Sequence, residues 1–344
     1  MGPEVEEALI RFVKQRLKSF REKGHFSVTW FGGEPLMQMD IIERLSRAFI
    51  EMAEEKAVQY SADMITNGYL LTKRNIEKLK ELHIKKAQVT LDGPPKIHDQ
   101  RRFTVNGGKT FRRILQNIKT ASPEITIRLR INVDETNREY IQELLDLLVK
   151  EGLANVVHPY LGRTYPYTEI CGDVAGNCLT DEDFSLLELE TQMELVRKGF
   201  LSFQVPQARN IHCLADNNNA FVITPSGGIV NCWNDASNPE AEIGHLIKPF
   251  SEKMQQNAGK WLKRNPFELE CAECLLLPIC MGGCPYLHLT TGKLHCHEWK
   301  SCPNENLAFY YYIKRIQQEG EIVREFRSIV ETVKELKIAA ESKK

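Results

Sequence analysis

The chain has 344 residues, 42% hydrophobic and 26% charged, which is enough for two domains or for one large α/β domain with an appendage. Its 45 basic and 46 acidic residues leave a net charge of −1, which excludes the broad positive field that would gather nucleic acid or an anionic membrane surface. No apolar run reaches the length of a membrane span and residues 1–24 are too charged for a signal peptide, so the expected compartment is the cytoplasm, where ten cysteines stay reduced.

Residues 3–23 place Val5, Ala8, Leu9, Phe12, Val13 and Phe20 on one stripe, between Pro3 and Gly24, which predicts an amphipathic helix. A short strand over 25–31 runs directly into Gly32-Gly33-Glu34-Pro35. Helix 40–56, strand 59–66, helix 72–82, strand 86–91, helix 110–120, strand 125–133, helix 139–150 and strand 156–161 then alternate. Units of this length predict a parallel sheet with right-handed crossovers. Periodicity leaves open whether the sheet is doubly wound or curled into a barrel, but in both the ligand lies at the carboxyl ends of the strands.

The strand ends carry unusual residues. Gly32 and Gly33 permit a tight turn and let backbone groups approach a ligand. Strand 59–66 ends in Thr66-Asn67-Gly68, which leads into a helix rather than a hairpin, and strand 86–91 ends in Thr90-Leu91-Asp92-Gly93-Pro94, followed by His98-Asp99 and Arg101-Arg102. Strand 125–133 has Arg128, Arg130 and Asn132 at alternate positions, so the three share a face. Central parallel strands are normally apolar on both faces, so polar residues pointing inward predict a ligand.

A loop over 162–179 holds Cys171 and Cys178, which read as buried fillers, and a helix over 180–198 crosses to a cysteine-rich region. There, 220–223 and 228–231 form a hairpin around Pro225-Ser226-Gly227. Cys213 is followed after thirteen residues by Gly227 and after four more by Cys232; then come Cys271-Ala-Glu-Cys274, five residues to Cys280, three to Cys284 and seventeen to Cys302. Thiols this dense in a chain without a secretory signal point to zinc or iron–sulfur before disulfides. His295-Cys296-His297 has the look of half a zinc site and reads as surface or packing residues. An amphipathic helix runs from 306 to about 338, with Phe309, Tyr310 and Ile313 early, to pack on the barrel or a partner.

The seven cysteines, with a glycine five residues before the second, resemble the SPASM domain of radical S-adenosylmethionine (AdoMet) enzymes. The resemblance implies that Cys271, Cys274, Cys280 and Cys302 hold one [4Fe–4S] cluster, and that Cys213, Cys232 and Cys284 hold three irons of another. A pair of structural zinc sites is the alternative. The resemblance also implies an α/β fold: a partial parallel (β/α)6 barrel lacking its first strand over 1–165, a loop and connecting helix over 166–205, a small cysteine-rich α+β domain over 206–304 and a C-terminal helix over 305–344. In such enzymes Gly32, Gly33 and Glu34 would contact the amino group of AdoMet, Thr66 and Asn67 would join them, and Thr90 would touch its ribose or carboxylate. Arg130, beside Asn132, is expected at the carboxylate, which a planar guanidinium holds through two hydrogen bonds.

The family cleaves AdoMet with a cluster on a CxxxCxxC motif, and no cysteine precedes Cys171 here. The expectation is that this segment lies upstream of Met1 and that the chain as given cannot generate the 5′-deoxyadenosyl radical. The ligands of that cluster are therefore unassigned, and Asp235 is the candidate catalytic side chain. The implied function is an oxidoreductase that abstracts hydrogen from a peptide or protein, with ferredoxin or flavodoxin as electron donor and no nucleic acid or membrane as partner. Asn218 and Asn219 stand where sulfatase-maturing members place another cysteine, and Trp233 rather than an acid follows Cys232. Thioether formation in ribosomal peptides is thus preferred to sulfatase maturation, with a noncatalytic iron–sulfur or peptide-binding module as the runner-up. The three-cysteine cluster leaves one iron without a thiolate, for which water, a non-cysteine side chain, the substrate or a distant cysteine (Cys171 and Cys178 ahead of Cys296) are candidates.

Overall fold

The computed structural model describes residues 1–19, 24–167, 175–200 and 206–319. Helix α1 (Pro3–Leu17) opens with proline, whose missing N–H costs nothing in a first turn, and buries Val5, Ala8, Leu9, Val13 and Leu17. It stops at Leu17 rather than near Gly24: Ser19 Oγ donates to the Arg16 carbonyl at 2.8 Å and takes up a terminal acceptor. Phe20 lies outside the described residues.

Strands and helices then alternate as β1 (His25–Trp30), α2 (Met39–Glu55), β2 (Gln59–Thr66), α3 (Lys73–Glu81), β3 (Ile84–Thr90), α4 (Pro95–Arg101), α5 (Phe111–Ala121), β4 (Thr126–Val133), α6 (Ile141–Lys150) and β5 (Val157–Arg163). All five strands are parallel and lie in the order β1-β2-β3-β4-β5. A doubly wound sheet reverses its strand order at a switch point, and this one does not. Crossovers of one hand then put the helices on one face of a curled sheet.

That asymmetry is visible in β4. Ile127, Leu129, Ile131 and Val133 are fully buried beneath the helices, while Arg128 is exposed and Arg130 and Asn132 half-buried on the other face. Helix α5 meets the apolar face with Phe111, Ile114, Leu115, Ile118 and Ala121, spaced three and four apart. Burying each large member stabilises the fold by about 1.5–3 kcal/mol. Strand β5 contains Pro159, which a strand at the edge of the sheet tolerates. Helix α4, with Pro95 in its first turn, was not expected from the sequence.

Helix α7 (Asp181–Arg197) packs on β5 and α6. The cysteine-rich region follows, with a three-stranded antiparallel sheet of β6 (Val222–Ile223), β7 (Gly228–Val230) and β8 (Gly244–His245). The hairpin forms around Pro225-Ser226-Gly227 as expected, with Gly227 at φ +95°; β8 is an addition. Helices α8 (Glu252–Leu262), α9 (Leu277–Cys280), α10 (Pro285–Thr291) and α11 (Pro303–Glu319) complete the described chain. Phe309, Tyr312 and Ile313 of α11 pack with Leu189 and Met193 of α7 and with Cys302. The continuation of this helix to 338 falls outside the described residues. Among the described residues no helix is long and apolar enough to cross a membrane.

Candidate functional site

The carboxyl ends of β1 and β2 are joined through one carboxylate. Glu34 Oε1 accepts from Thr66 Oγ1 at 2.7 Å and from Leu36 N at 3.0 Å, and Oε2 accepts from Asn67 N at 2.9 Å. Before it, Gly32 has φ +152°, and a Cβ at Gly32 or Gly33 would meet nothing within 4 Å, so this loop presents bare backbone to open space. Gly68 has the opposite surroundings: at φ +79°, its Cβ would stand 2.6 Å from Val89 Cγ1. The Asn67-Gly68 pair is therefore a close-packed strand-to-helix turn.

Across β3, β4 and β5 the register aligns Gln88 with Arg128 and His158, Thr90 with Arg130 and Tyr160, and Asn132 with Gly162. This row is the polar concave face. Arg130 Nε donates to Asn132 Oδ1 at 2.7 Å, and its guanidinium lies over Gly162, where a Cβ would come within 2.4 Å of Nε. Among the described residues Arg130 has no carboxylate partner. A half-buried cation without an anion is costly, and a ligand carboxylate would relieve that cost.

The neighbouring charged residues are committed elsewhere. Arg101 holds Asp134 through two bonds, at 3.0 and 2.7 Å, and Arg102 Nε donates to Asp92 Oδ2 at 2.6 Å. Asp92 Oδ1 accepts from Asn132 N at 3.0 Å, which fixes the end of β4 against that of β3. His98 is fully buried; its Nδ1 accepts from Asp92 N at 3.2 Å, and its Nε2 bonds Thr110 Oγ1, whose own proton goes to the Arg102 carbonyl. Burial pushes its pKa down to about 4, aided by Arg102 and Arg101 and opposed by Asp92 and Asp99. His98, Arg101 and Arg102 therefore form the scaffold behind the concave face.

Two groups of cysteines gather beyond this face. Cys213, Cys232 and Cys284 each precede a helical turn or helix, and Cys284 lies close enough to the other two to add to the burial that raises their thiol pKa. Burial pushes Cys232 up to about 12, with the Asn234 amide opposing and Asp235, Cys284 and Cys213 reinforcing. Asp235 is itself pushed up to about 6 by burial. Trp233, between Cys232 and Asp235, meets Phe31 of the glycine loop edge to face at 6.0 Å, so this group adjoins the sheet's open end. Thiols gathered together and unfavourable as neighbouring anions suit a shared cation.

The second group lines a cavity of about 100 Å³ and consists of Cys271, Cys274, Cys280 and Cys296. Met281, Gly282 and Gly283 have φ of +51°, +82° and +69°, which turns successive amides inward. The His297, Gly283 and Gly282 amides favour the Cys280 thiolate, although burial outweighs them and raises its pKa. Cys302 does not line this cavity: it is 3% exposed, in the apolar cluster of α7 and α11, where its Sγ accepts from Asn306 Nδ2 at 3.0 Å. His295 and His297 behave as packing residues. His295 bonds Tyr165 Oη at 2.8 Å, and His297 Nδ1 accepts from Trp299 N at 3.2 Å.

Sequence reasoning missed Arg264. Its side chain is 1% exposed; Nη2 donates to the carbonyls of Gly282 and Gly283 at 2.5 and 3.0 Å, and Nη1 to Asp216 at 3.3 Å. It ties the turn after Cys213 to the loop between Cys280 and Cys284. Its partners lie 18 and 48 residues away, so no local pattern marks it. Cys178 lies near Arg163 and Asp134, and Cys171 is outside the described residues. Among the described residues no three or more His, Cys, Asp or Glu converge as on a single metal ion.

Residues 2–148 match the model of the Radical SAM superfamily. The chain is 28% identical over 184 residues to Fe-coproporphyrin III synthase of Methanosarcina barkeri, a match covering 50% of this chain and 41% of that one, so it spans under half of that relative's length. It is 22% identical over 317 residues to the cysteine-type anaerobic sulfatase-maturating enzyme of Clostridium novyi, covering 83% of this chain and 81% of that one. The solved structure of anSMEcpe with bound AdoMet superposes with a TM-score of 0.66 at 17% identity over 96% of this chain and 89% of its own. A further structure of anSMEcpe holds AdoMet with a Cp18Cys peptide. That family match falls on the segment that carries most of the sequential parallel sheet, and the solved structures share this fold.

Proposed function

We propose that this chain binds AdoMet on the concave face of its sheet and belongs to an enzyme that modifies a peptide or protein by hydrogen abstraction, with two auxiliary [4Fe–4S] clusters in a cysteine domain over 206–304. The observation that carries the reading is Arg130, a half-buried cation on a polar face with no carboxylate partner among the described residues, while Arg101, Arg102 and Arg163 are each paired with an acid. In this reading Arg130 and Asn132 hold the AdoMet carboxylate, Glu34 with Thr66 and Asn67 holds its amino group, and Thr90 lies beside its ribose. The open backbone of Gly32 and Gly33 leaves room for the methionine chain. AdoMet reduced on an iron–sulfur cluster supplies a carbon radical; the residues described here bind and orient it. Asp235, part-protonated near neutral pH and next to the three-cysteine group, is placed to exchange a proton with substrate.

A peptide substrate is supported by the length of the match to the sulfatase-maturating relative and by the peptide-bound anSMEcpe structure. An iron–sulfur reading is supported over zinc by the spacing of the seven cysteines.

The test is calorimetric titration of AdoMet into anaerobically reconstituted protein carrying about eight irons per chain, as two four-iron clusters require. Arg130→Ala should weaken binding at least tenfold, about 1.4 kcal/mol, and Arg130→Lys less. Unaltered affinity in Arg130→Ala, or no binding by the unaltered protein, would overturn the reading.

A further inference from the structure

The concave face continues beneath the row that holds Arg130, and its lower half is charged. Arg128 stands two residues before Arg130 on β4, about 7 Å along the strand, and on the same side. The register sets Arg128 between Gln88 and His158, and the row below pairs Asp63 with Lys86. Ala87 and Val89 of β3 and Ile127 and Leu129 of β4 are fully buried beneath the helices, so Lys86, Gln88 and Arg128 occupy the open side.

Arg128 is exposed, yet its plane is fixed. Its guanidinium carbon lies 4.9 Å from the centroid of the Tyr160 ring, and Tyr160 Oη donates to Gln88 Oε1, which holds that ring against β3. A guanidinium stacked on an aromatic face keeps its N–H groups, which radiate in its own plane, free for a planar acceptor. Fixing the plane in advance also reduces the rotamer freedom lost when a ligand arrives. Among the described residues neither Arg128 nor Lys86 is paired with an acid, and Asp63, opposite Lys86 in the register, forms no ion pair with it.

The charge is local. The whole chain carries a net charge of −1, so two unpaired cations on one concave surface are not part of a general positive field. Two cations are also too few to follow a nucleic-acid backbone, whose binding neutralises several phosphates at once. They suit one carboxylate at a depth the sheet sets, one row beneath Arg130.

We propose that Arg128, stacked on Tyr160 and supported by Lys86, binds an acidic side chain of the peptide substrate, so that peptides with Asp or Glu close in sequence to the modified residue are selected. The inference deepens the reading of a peptide-modifying enzyme and rests on it for the class of ligand. No bond is made or broken at this subsite.

The test uses iron-reconstituted protein and two labelled decapeptides with a central cysteine, flanked by glutamates in one and by glutamines in the other. Fluorescence anisotropy should show the glutamate peptide binding about tenfold more tightly, with the difference shrinking as salt rises. Arg128→Gln should erase most of that preference, and Arg128→Glu should reverse it in favour of a matching lysine peptide. Arg112→Gln, an exposed cation of α5 on the helical side of the sheet, should change neither. Equal binding of the two peptides, binding of neither, or an unaltered preference in Arg128→Gln would overturn the proposal. So would oligothymidylate binding more tightly than the glutamate peptide and losing that affinity in Arg128→Gln. Calorimetric titration of AdoMet into the same samples keeps the two readings apart. Discrimination through Arg128 without AdoMet binding sinks the enzyme reading and leaves the acidic subsite, whereas AdoMet binding without discrimination does the reverse.

Discussion

Gly162 shows how a residue with no side chain can set a binding site. It pairs with Asn132 across the β4/β5 ladder, and the Arg130 guanidinium lies where its Cβ would be. The atom in the way is the end of a flexible side chain, so Gly162→Ala should cost less than about 1 kcal/mol in stability, measured by urea unfolding. It should nevertheless weaken AdoMet binding as much as Arg130→Ala does, because it evicts the guanidinium. His98 supports the same face from behind and confers a pH dependence. Its folded pKa near 4 lies below the ordinary 6.5, so between these values the unfolded chain binds the proton first. Stability should thus fall as pH drops from 6.5 to 4, by up to about 3 kcal/mol from this group. Difference unfolding curves against His98→Asn across that range would isolate it; a constant difference would show that His98 titrates normally. Neither role was legible in the sequence. His98 was noticed only as a neighbour of Asp99, and Gly162 not at all, because both act on groups that register or the turn of α4 brings near.

At the scale of elements, the strand–helix alternation of residues 25–163 could be read to within a few positions, because each helix carries an apolar stripe and each strand end a glycine or polar cluster. The crossover of α4 was missed because seven residues are too few to show a period. In the cysteine region counting residues selects Cys302, while the turns between Cys284 and α11 place Cys296 beside the cavity that Cys271, Cys274 and Cys280 line. The loop Met281-Gly282-Gly283 is the element that makes this possible. Gly283→Ala, at φ +69° with its Cβ 1.7 Å from the His295 carbonyl, should destabilise the protein by more than about 2 kcal/mol. It should also move the adjoining segment and lower iron uptake by about half while leaving AdoMet binding intact. Iron content and calorimetry measured side by side would show whether the two properties separate.

Across the whole molecule, the parallel-sheet region and the cysteine region meet at a small aromatic junction. Phe31 follows β1, Trp233 follows Cys232, and Tyr167, in the segment after β5, accepts from Tyr286 Oη through its carbonyl at 3.2 Å. Phe12 of α1 meets Phe221 edge to face at 5.4 Å, so the first helix also spans both regions. These contacts were invisible in a sequence that separates their partners by more than a hundred residues. Arg264 has the widest reach, because one guanidinium holds the turn after one cysteine group and the loop inside the other. On the two-cluster reading, order gained on filling either group would be transmitted to its neighbour, and each filled group would strengthen the other's uptake by the same factor. Iron titration of the unaltered protein should accordingly be cooperative, with few half-filled molecules. Arg264→Met should yield a population stranded with one group filled, visible as a mixed species by native mass spectrometry. On that reading the buried arginine would make maturation close to all-or-none.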